Sequence, residues 1–143
     1  MNELASTHLA APVFADVEAA ATRLKGEAVR TPLLEAPLLN EKLGGRLLVK
    51  PECLQRTGSF KYRGAFNRLS LIPEADRARG VLAYSSGNHA QGVAHAAARL
   101  GIKASIIMPE DAPAMKIQNT KDYGAEVILY DRYNESREEI GQR

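Results

Sequence analysis

The stretch GVLAYSSGNHAQGVAHAAARLGIKASIIMPEDAPAMKIQNTKDYGAEVILY, residues 80–130, alternates between short apolar runs and longer segments with helical spacing. It predicts strands at 81–84, 104–108 and 126–130, separated by helices at 88–99 and 114–123. Apolar strands separated by helices of this length favour parallel pairing with helices on both faces of the sheet. We therefore predict an α/β fold with a parallel sheet in a three-layer αβα arrangement, which binds ligands at the carboxyl ends of its strands.

The first of these strands runs into a loop of small and polar residues, SSGNHAQG at 85–92, which also opens the following helix. Small residues let the backbone approach a ligand closely. The free N–H groups and the positive dipole end of the helix favour a negatively charged group. This loop is therefore predicted to bind a carboxylate or a phosphate.

The upstream patterns predict shorter elements. Apolar residues recur with helical spacing at 17–24, where Asp16 is a possible N-cap and Gly26 a possible stop. A short helix is predicted from Pro37 to Leu43, followed by a strand at 46–50 and by a helix that begins near Phe60. We expect that last helix to bury one face, which consists of Tyr62, Ala65, Phe66 and Leu69. Ser136 and Glu139 have the spacing of a capping box.

Composition favours an ordinary globular chain that acts on small molecules. Of 143 residues, 45% are hydrophobic and 25% charged, and the formal net charge is only +2. The basic residues are scattered, which argues against a nucleic-acid or membrane surface. Cys53 is the single cysteine and no apolar run reaches the length of a bilayer span, so we expect a cytoplasmic setting. Residues 1–12 lack the pattern of a secretory signal and are expected to form a loose arm.

Several familiar sites are not supported by the motifs. Neither GxxxxGK[ST] nor GxGxxG occurs around Gly58 or Gly87, so nucleotide binding has no signal. There is no HExxH, and His89 and His95 are six residues apart, which does not suit a shared metal; we predict no metal site. His95 is interpreted as a packed or surface polar residue.

Lys61 has two interpretations. As a helix lysine it would be solvated and without a role. However, it follows an aromatic residue, Phe60, in a first helical turn, where the positive dipole end disfavours an ammonium group and favours a nucleophilic amine. Lysines of that kind form Schiff bases with carbonyl compounds, and pyridoxal phosphate is the common cofactor that uses them.

Five motifs in order carry a family resemblance: RTPL at 30–33, TGSFKYRGA at 57–65, SSGNHAQGVA at 85–94, APAMK at 112–116 and YGAEVILY at 123–130. From about Val13 onward, the sequence resembles the N-terminal part of the threonine/serine dehydratase and serine racemase family. Those are two-domain pyridoxal-phosphate enzymes of fold type II, the tryptophan synthase β-like fold. Tyr62 and His89 favour this branch over cysteine synthases and threonine synthases, which usually carry Asp and Thr there.

The resemblance implies roles for the central residues. Lys61 would form the Schiff base with pyridoxal 5'-phosphate, Phe60 would pack on the cofactor ring, and Asn88 would hydrogen-bond the cofactor's 3-hydroxyl. The substrate carboxylate would be held by Ser85, Ser86, Gly87, Asn88 and His89. Ser86 also matches the acid/base hydroxyl of racemases in this family, although a loop-capping serine is equally compatible with the sequence.

The activity implied by the resemblance is dehydration of threonine or serine to a 2-oxo acid and ammonia, with Lys61 removing the Cα proton. An amino-acid racemase and a 3-hydroxyaspartate dehydratase are the alternatives within the family. The family also implies a homo-oligomer. A non-catalytic anion-binding module and a structural subunit completed by a partner are the alternatives outside enzymology.

The resemblance divides the chain into residues 1–52, an arm with part of the large cofactor domain, and residues 53–143, a small α/β domain that is incomplete. The family's glycine-rich phosphate loop has no counterpart here. We therefore expect a truncated or split enzyme that is inactive alone. An apolar surface is also expected to lack its partner and to promote disorder or self-association; it comprises Leu33, Leu34, Leu38, Leu39, Leu43, Leu47, Leu48 and Val49.

Overall fold

The computed structural model describes residues 11–142, so the arm predicted for residues 1–12 lies almost wholly outside the described residues. The helices are α1 (Phe14–Arg23), α2 (Pro37–Leu43), α3 (Lys61–Leu69), α4 (Glu74–Arg77), α5 (Asn88–Leu100), α6 (Ala114–Asp122) and α7 (Arg137–Ile140). The strands are β1 (Leu34–Glu35), β2 (Leu48–Val49), β3 (Val81–Tyr84), β4 (Ala104–Pro109) and β5 (Glu126–Tyr130). Two short 3₁₀ helices, Glu52–Leu54 and Arg56–Gly58, precede α3.

A parallel sheet with the strand order β3-β4-β5 organises the C-terminal two thirds of the chain. Val81 pairs with Ala104, and Ser105 pairs with Glu126. The central strand is the most buried, since Ile106, Ile107 and Met108 are at most 1% exposed. The predicted α/β fold with a parallel sheet is therefore confirmed, and the strands and helices of residues 80–130 differ from their predicted bounds by at most one residue.

The core lies where α5 packs against α3 and the sheet. Helix α5 buries four alanines and Gly92 together with Gln91 and Val93, and the small residues let its backbone approach its neighbours closely. Helix α3 buries the face that its spacing predicted, namely Tyr62, Ala65, Phe66 and Leu69. His95 packs between two aromatic rings, with centroid distances of 5.2 Å to Tyr62 and 4.7 Å to Tyr123, as expected for a packed polar residue.

A two-stranded antiparallel sheet, β1 with β2, forms the second structural unit. It is shorter than predicted, since only Leu48 and Val49 of the expected strand at 46–50 pair. Glu35 accepts two hydrogen bonds from Arg46, at 2.8 and 2.9 Å. The apolar surface predicted to lack a partner is exposed, from 41% at Leu39 to 77% at Leu38, and comprises Leu33, Leu34, Leu38, Leu39, Leu43, Leu47, Leu48 and Val49.

The N-terminal helix differs from its prediction. Helix α1 begins at Phe14, so Asp16 lies inside the first turn and is not the N-cap. Its carboxylate accepts the Val13 N–H at 2.8 Å and satisfies that free donor from within the helix. The capping box is confirmed at α7, where the Ser136 hydroxyl accepts the Glu139 N–H at 3.3 Å. Across residues 11–142, we find no helix with both the length and the apolar character needed to span a bilayer.

Candidate active site

The loop between β3 and α5 lies at the carboxyl edge of the sheet. The Ser85 N–H donates to the Ile107 carbonyl at 3.1 Å, which continues the strand pairing, and the Gly87 N–H donates to Ser85 Oγ at 3.3 Å. Helix α5 begins at Asn88, and its first bond runs from the Gln91 N–H to the Gly87 carbonyl at 3.2 Å. The N–H groups of a first helical turn have no partner within the helix. This end of α5 therefore has the geometry of an anion site.

Gly92 brings the two central motifs together. A Cβ at this position would lie 3.2 Å from both the carbonyl carbon of Lys61 and the amide nitrogen of Tyr62. Since ordinary contacts of a Cβ lie at 3.4–4 Å, only a bare Cα allows α5 to approach α3 this closely. The second turn of the anion-loop helix therefore contacts the backbone at the start of α3, where Lys61 lies.

The Lys61 amine is outside the core and lies against an aromatic ring. Lys61 is exposed, and its Nζ lies 4.8 Å from the ring centroid of Phe60, which is itself 58% exposed. The turn that leads into α3 is unusual, because Thr57 has φ 61°, a left-handed conformation that β-branched residues avoid. Such strained turns concentrate at functional sites.

Three buried hydroxyls at residues 57–62, the segment that contains Lys61, lack partners. The side-chain oxygens of Thr57, Ser59 and Tyr62 are buried and have no hydrogen-bond partner among residues 11–142. Buried polar groups are normally satisfied, so the unpaired hydroxyls of Thr57 and Ser59, in the turn that leads to Lys61, suggest a polar ligand. The Tyr62 hydroxyl lies instead in the core, near Arg56. An aldehyde cofactor with a ring hydroxyl and a phosphate fits this donor set and the amine.

Three cationic side chains surround the anion loop, and the sequence analysis gave them no role. A cavity of 130 Å³ is lined by Ser85, Ser86, Pro109, Tyr130, Arg132 and Arg137. Lys116 reaches the loop from α6, where its Nζ lies 3.1 Å from the position that a Cβ of Gly87 would take. The signal for Lys116 was its place in the APAMK motif; no motif pointed to Arg132 or Arg137.

Both arginines of that cavity also pair with acidic side chains at the surface. Arg137 bonds its neighbour Glu138 at 2.8 Å, and Arg132 bonds Asp111 at 2.6 Å, with all four side chains at least 42% exposed. Exposed pairs of this kind contribute little to stability and exchange readily. The guanidinium groups therefore remain available to a negatively charged ligand.

His89 lies on the other side of the loop from these arginines. Its side chain lines a separate cleft of 260 Å³ together with Ala65 and Val93. Partial burial lowers the pKa of His89, and the positive charge of Lys61 lowers it further. The structure thus places the imidazole toward α3, so we expect His89 to contribute its backbone N–H, and not its ring, to the carboxylate loop.

Comparisons with known proteins point to one family. A sequence model of the family described as "Pyridoxal-phosphate dependent enzyme" matches residues 24–143. The chain is 54% identical over 129 residues to L-threo-3-hydroxyaspartate ammonia-lyase of Pseudomonas sp, which covers 90% of this chain and 40% of that protein. It is 50% identical over 114 residues to L-threonine ammonia-lyase of Thermotoga maritima, which covers 80% of this chain and 28% of that protein.

A solved structure, maize serine racemase, superposes with a TM-score of 0.85 at 39% sequence identity, covering 90% of this chain and 39% of that one. The chain thus spans about 40% of the length of the Pseudomonas relative and a similar share of the maize structure. These matches confirm the resemblance that the five motifs predicted. This chain belongs to the family of pyridoxal-phosphate-dependent enzymes.

Proposed function

We propose that this chain carries the cofactor lysine and the carboxylate loop of a pyridoxal-phosphate-dependent ammonia-lyase that acts on threonine or serine. The observation that carries the proposal is the close approach of Gly92 to the Lys61 backbone, which supports a single site shared by the Lys61 amine and the N-terminus of α5. Relatives named as ammonia-lyases support the reaction type.

The residues present suit the cofactor. When bound, pyridoxal phosphate supplies an aldehyde that an amine captures and a ring that accepts the electron pair released at Cα. Lys61 would provide the amine and Phe60 would cover the ring. Asn88 at the start of α5 would bond the ring hydroxyl, and the unpaired hydroxyl of Ser59 offers a further donor.

The chain's own residues would then divide the work on the substrate. The N–H groups of residues 85–89 would fix the substrate carboxylate, so that its Cα–H bond faces Lys61. The freed Lys61 amine would accept the Cα proton and would donate it to the departing β-hydroxyl, which leaves as water. Hydrolysis of the remaining enamine gives a 2-oxo acid and ammonia. The exposed Ser86 hydroxyl would support racemisation if it exchanges a proton at the opposite face.

The experiment that tests this proposal locates the reactive lysine. The chain is mixed with pyridoxal phosphate and reduced with borohydride, and the modified lysines are mapped by peptide mass spectrometry. We expect Lys61 to be labelled at a lower cofactor concentration than the other lysines. Lys121→Ala serves as the control for Lys61→Ala, since Lys121 is an exposed lysine of α6.

The outcomes separate the proposal from its rivals. Label spread evenly over surface lysines would contradict a cofactor site. If Lys61→Ala kept full affinity for pyridoxal phosphate, the chain would be an anion-binding module without covalent chemistry. Formation of 2-oxobutyrate from threonine or pyruvate from serine identifies the lyase, and inversion at Cα identifies a racemase.

A second substrate, 3-hydroxyaspartate, is favoured by the cations around the loop. One substrate carboxylate occupies the helix end, yet Lys116, Arg132 and Arg137 add positive charge beside it. A second carboxylate on Cβ would be paired by these side chains, and the Pseudomonas relative is named for that substrate.

A binding experiment distinguishes one carboxylate from two. Malate and lactate differ in the second carboxylate, and neither reacts with the cofactor's aldehyde. In NMR titrations of the amides of residues 85–89, we expect malate to bind about tenfold more tightly than lactate. Lys116→Met and Arg137→Met should remove that preference, whereas Arg46→Met, at a distant exposed pair, should keep it. Equal affinities in the unaltered chain would favour threonine or serine.

The remaining parts of the functional picture stay predictions. These are the division into residues 1–52 and 53–143, a cytoplasmic location and a homo-oligomer.

A further inference from the structure

A polar cluster on the far side of α3 ties the start of this helix to the RTPL motif. Arg63 donates from Nε to Glu52 Oε2 at 2.7 Å and from Nη2 to Glu52 Oε1 at 2.8 Å. The same Glu52 Oε1 accepts the Thr31 hydroxyl at 2.6 Å. Thr31 is 4% exposed, so this hydroxyl lies in the interior. A planar, two-pronged contact of this kind fixes orientation as well as distance.

The chain segment around Thr31 is held by further hydrogen bonds. Arg63 Nη2 donates to the Val29 carbonyl at 2.9 Å, and Gln55 exchanges two hydrogen bonds of 2.9 Å with the Val29 backbone. Lys50 Nζ donates to the Thr31 carbonyl at 2.9 Å. Residues 29–31 therefore form a fixed base against which Arg63 orients α3.

Lys61 and Arg63 lie on opposite sides of the helix. Two residues correspond to about 200° of rotation, so the Arg63–Glu52 pair holds one side of the first turn while the Lys61 amine projects from the opposite side. Gly92 contacts the backbone of the same turn from α5. The first turn of α3 is thus fixed from two directions, by packing at Gly92 and by the charged pair at Arg63.

We propose that Glu52, Arg63 and Thr31 are positioning residues, which set the place of the Lys61 amine relative to the anion loop. This inference rests on the proposed role of Lys61 as the cofactor lysine. It assigns a role to Arg63 of the TGSFKYRGA motif and to Thr31 of the RTPL motif, for which the sequence suggested none.

The test measures the rate at which pyridoxal phosphate labels Lys61 under borohydride trapping, together with the rates at Lys103 and Lys121. We expect Glu52→Gln and Arg63→Lys each to slow labelling of Lys61 by about tenfold, since small displacements of a reacting group are costly. Labelling at the two distant lysines should not change. Circular dichroism and thermal unfolding check that each variant is folded at the temperature of the labelling reaction.

Matched variants separate positioning from a general loss of stability. Thr31→Ser keeps the hydroxyl and should keep the rate at Lys61, whereas Thr31→Val loses the hydroxyl and should slow it. Glu35→Gln breaks a similar two-pronged pair with Arg46, which makes no hydrogen bond to α3 or to residues 29–31, and should leave the rate unchanged.

Two results would overturn the inference, and they are distinguishable. In the first, Lys61 is the preferred site in the unaltered chain, and its labelling rate changes by less than twofold in folded Glu52→Gln and Arg63→Lys. The positioning role would then be wrong, while the proposed function would stand. If Lys61 reacts no faster than Lys103 in the unaltered chain, both fail.

Discussion

Replacing Gly92 with alanine tests the contact on which the site depends. The new methyl group would lie 3.2 Å from two backbone atoms at Lys61 and Tyr62, a few tenths of an ångström closer than ordinary contact. Those atoms belong to a packed helix, so relief requires α3 and α5 to separate. Overpacking of this kind costs about 1–3 kcal/mol, and alanine returns about 1 kcal/mol of helix propensity. We expect Gly92→Ala to destabilise the chain by about 0–2 kcal/mol.

Gly64 supplies the matched control. It also lies within a helix, α3, but a Cβ there would meet nothing within 4 Å. Gly64→Ala should therefore stabilise the chain by up to about 1 kcal/mol. The free energies of unfolding of the two variants, measured by urea titration, should differ by about 1–3 kcal/mol. Labelling of Lys61 by pyridoxal phosphate should fall in Gly92→Ala alone. A Gly92→Ala variant as stable as Gly64→Ala, with unchanged labelling, would refute the reasoning.

Three further outcomes can be measured by unfolding and light scattering. The Arg63 guanidinium lowers the pKa of Glu52 from 4.5 to about 2. The ionised Glu52 carboxylate therefore stabilises the fold fully above about pH 4.5, and this stabilisation is lost as the pH falls toward 2. Glu52→Gln should flatten that part of the plot of unfolding free energy against pH. Burial, followed by the positive charges of Arg56 and Arg99, lowers the pKa of His95 from 6.5. The free energy of unfolding should therefore fall as the pH drops below about 6.5, where the unfolded chain binds a proton that the folded chain does not. A His95→Phe variant that lacks this pH dependence would confirm the cause. The exposed apolar surface should make the chain self-associate in light scattering, and Leu38→Ser should reduce the apparent mass; a strictly monomeric chain at high concentration would contradict this.

The fold of residues 80–130, and the helix α3 before them, followed from local pattern. Residues 80–130 alternate between buried apolar runs and alanine-rich helical segments, and each segment is bounded by glycine, proline or a polar turn. The buried face of α3, from Tyr62 to Leu69, was equally predictable, because its apolar residues recur with helical spacing and all pack against the same core. In these regions propensity, period and burial all favour the same structure.

The N-terminal third was less predictable for a physical reason. Helix α1 has no buried residue, and its spacing therefore placed Asp16 wrongly as the cap. The strand expected at 46–50 contracts to Leu48 and Val49, which pair only with the equally short β1. Apolar side chains that meet no core of their own do not fix where an element begins or ends.

The sequence by itself determined the parallel α/β sheet, and it predicted an anion-binding loop at residues 85–89 and Lys61 as the reactive amine, because each depends on residue type and short-range spacing. Tertiary structure alone decided that Gly92 contacts the start of α3, that Lys116 and Arg137 approach the loop, and that Thr31 and Arg63 both bond Glu52. Those contacts join residues 11 to 52 positions apart in the sequence, and no local pattern encodes which distant residues a fold brings into contact.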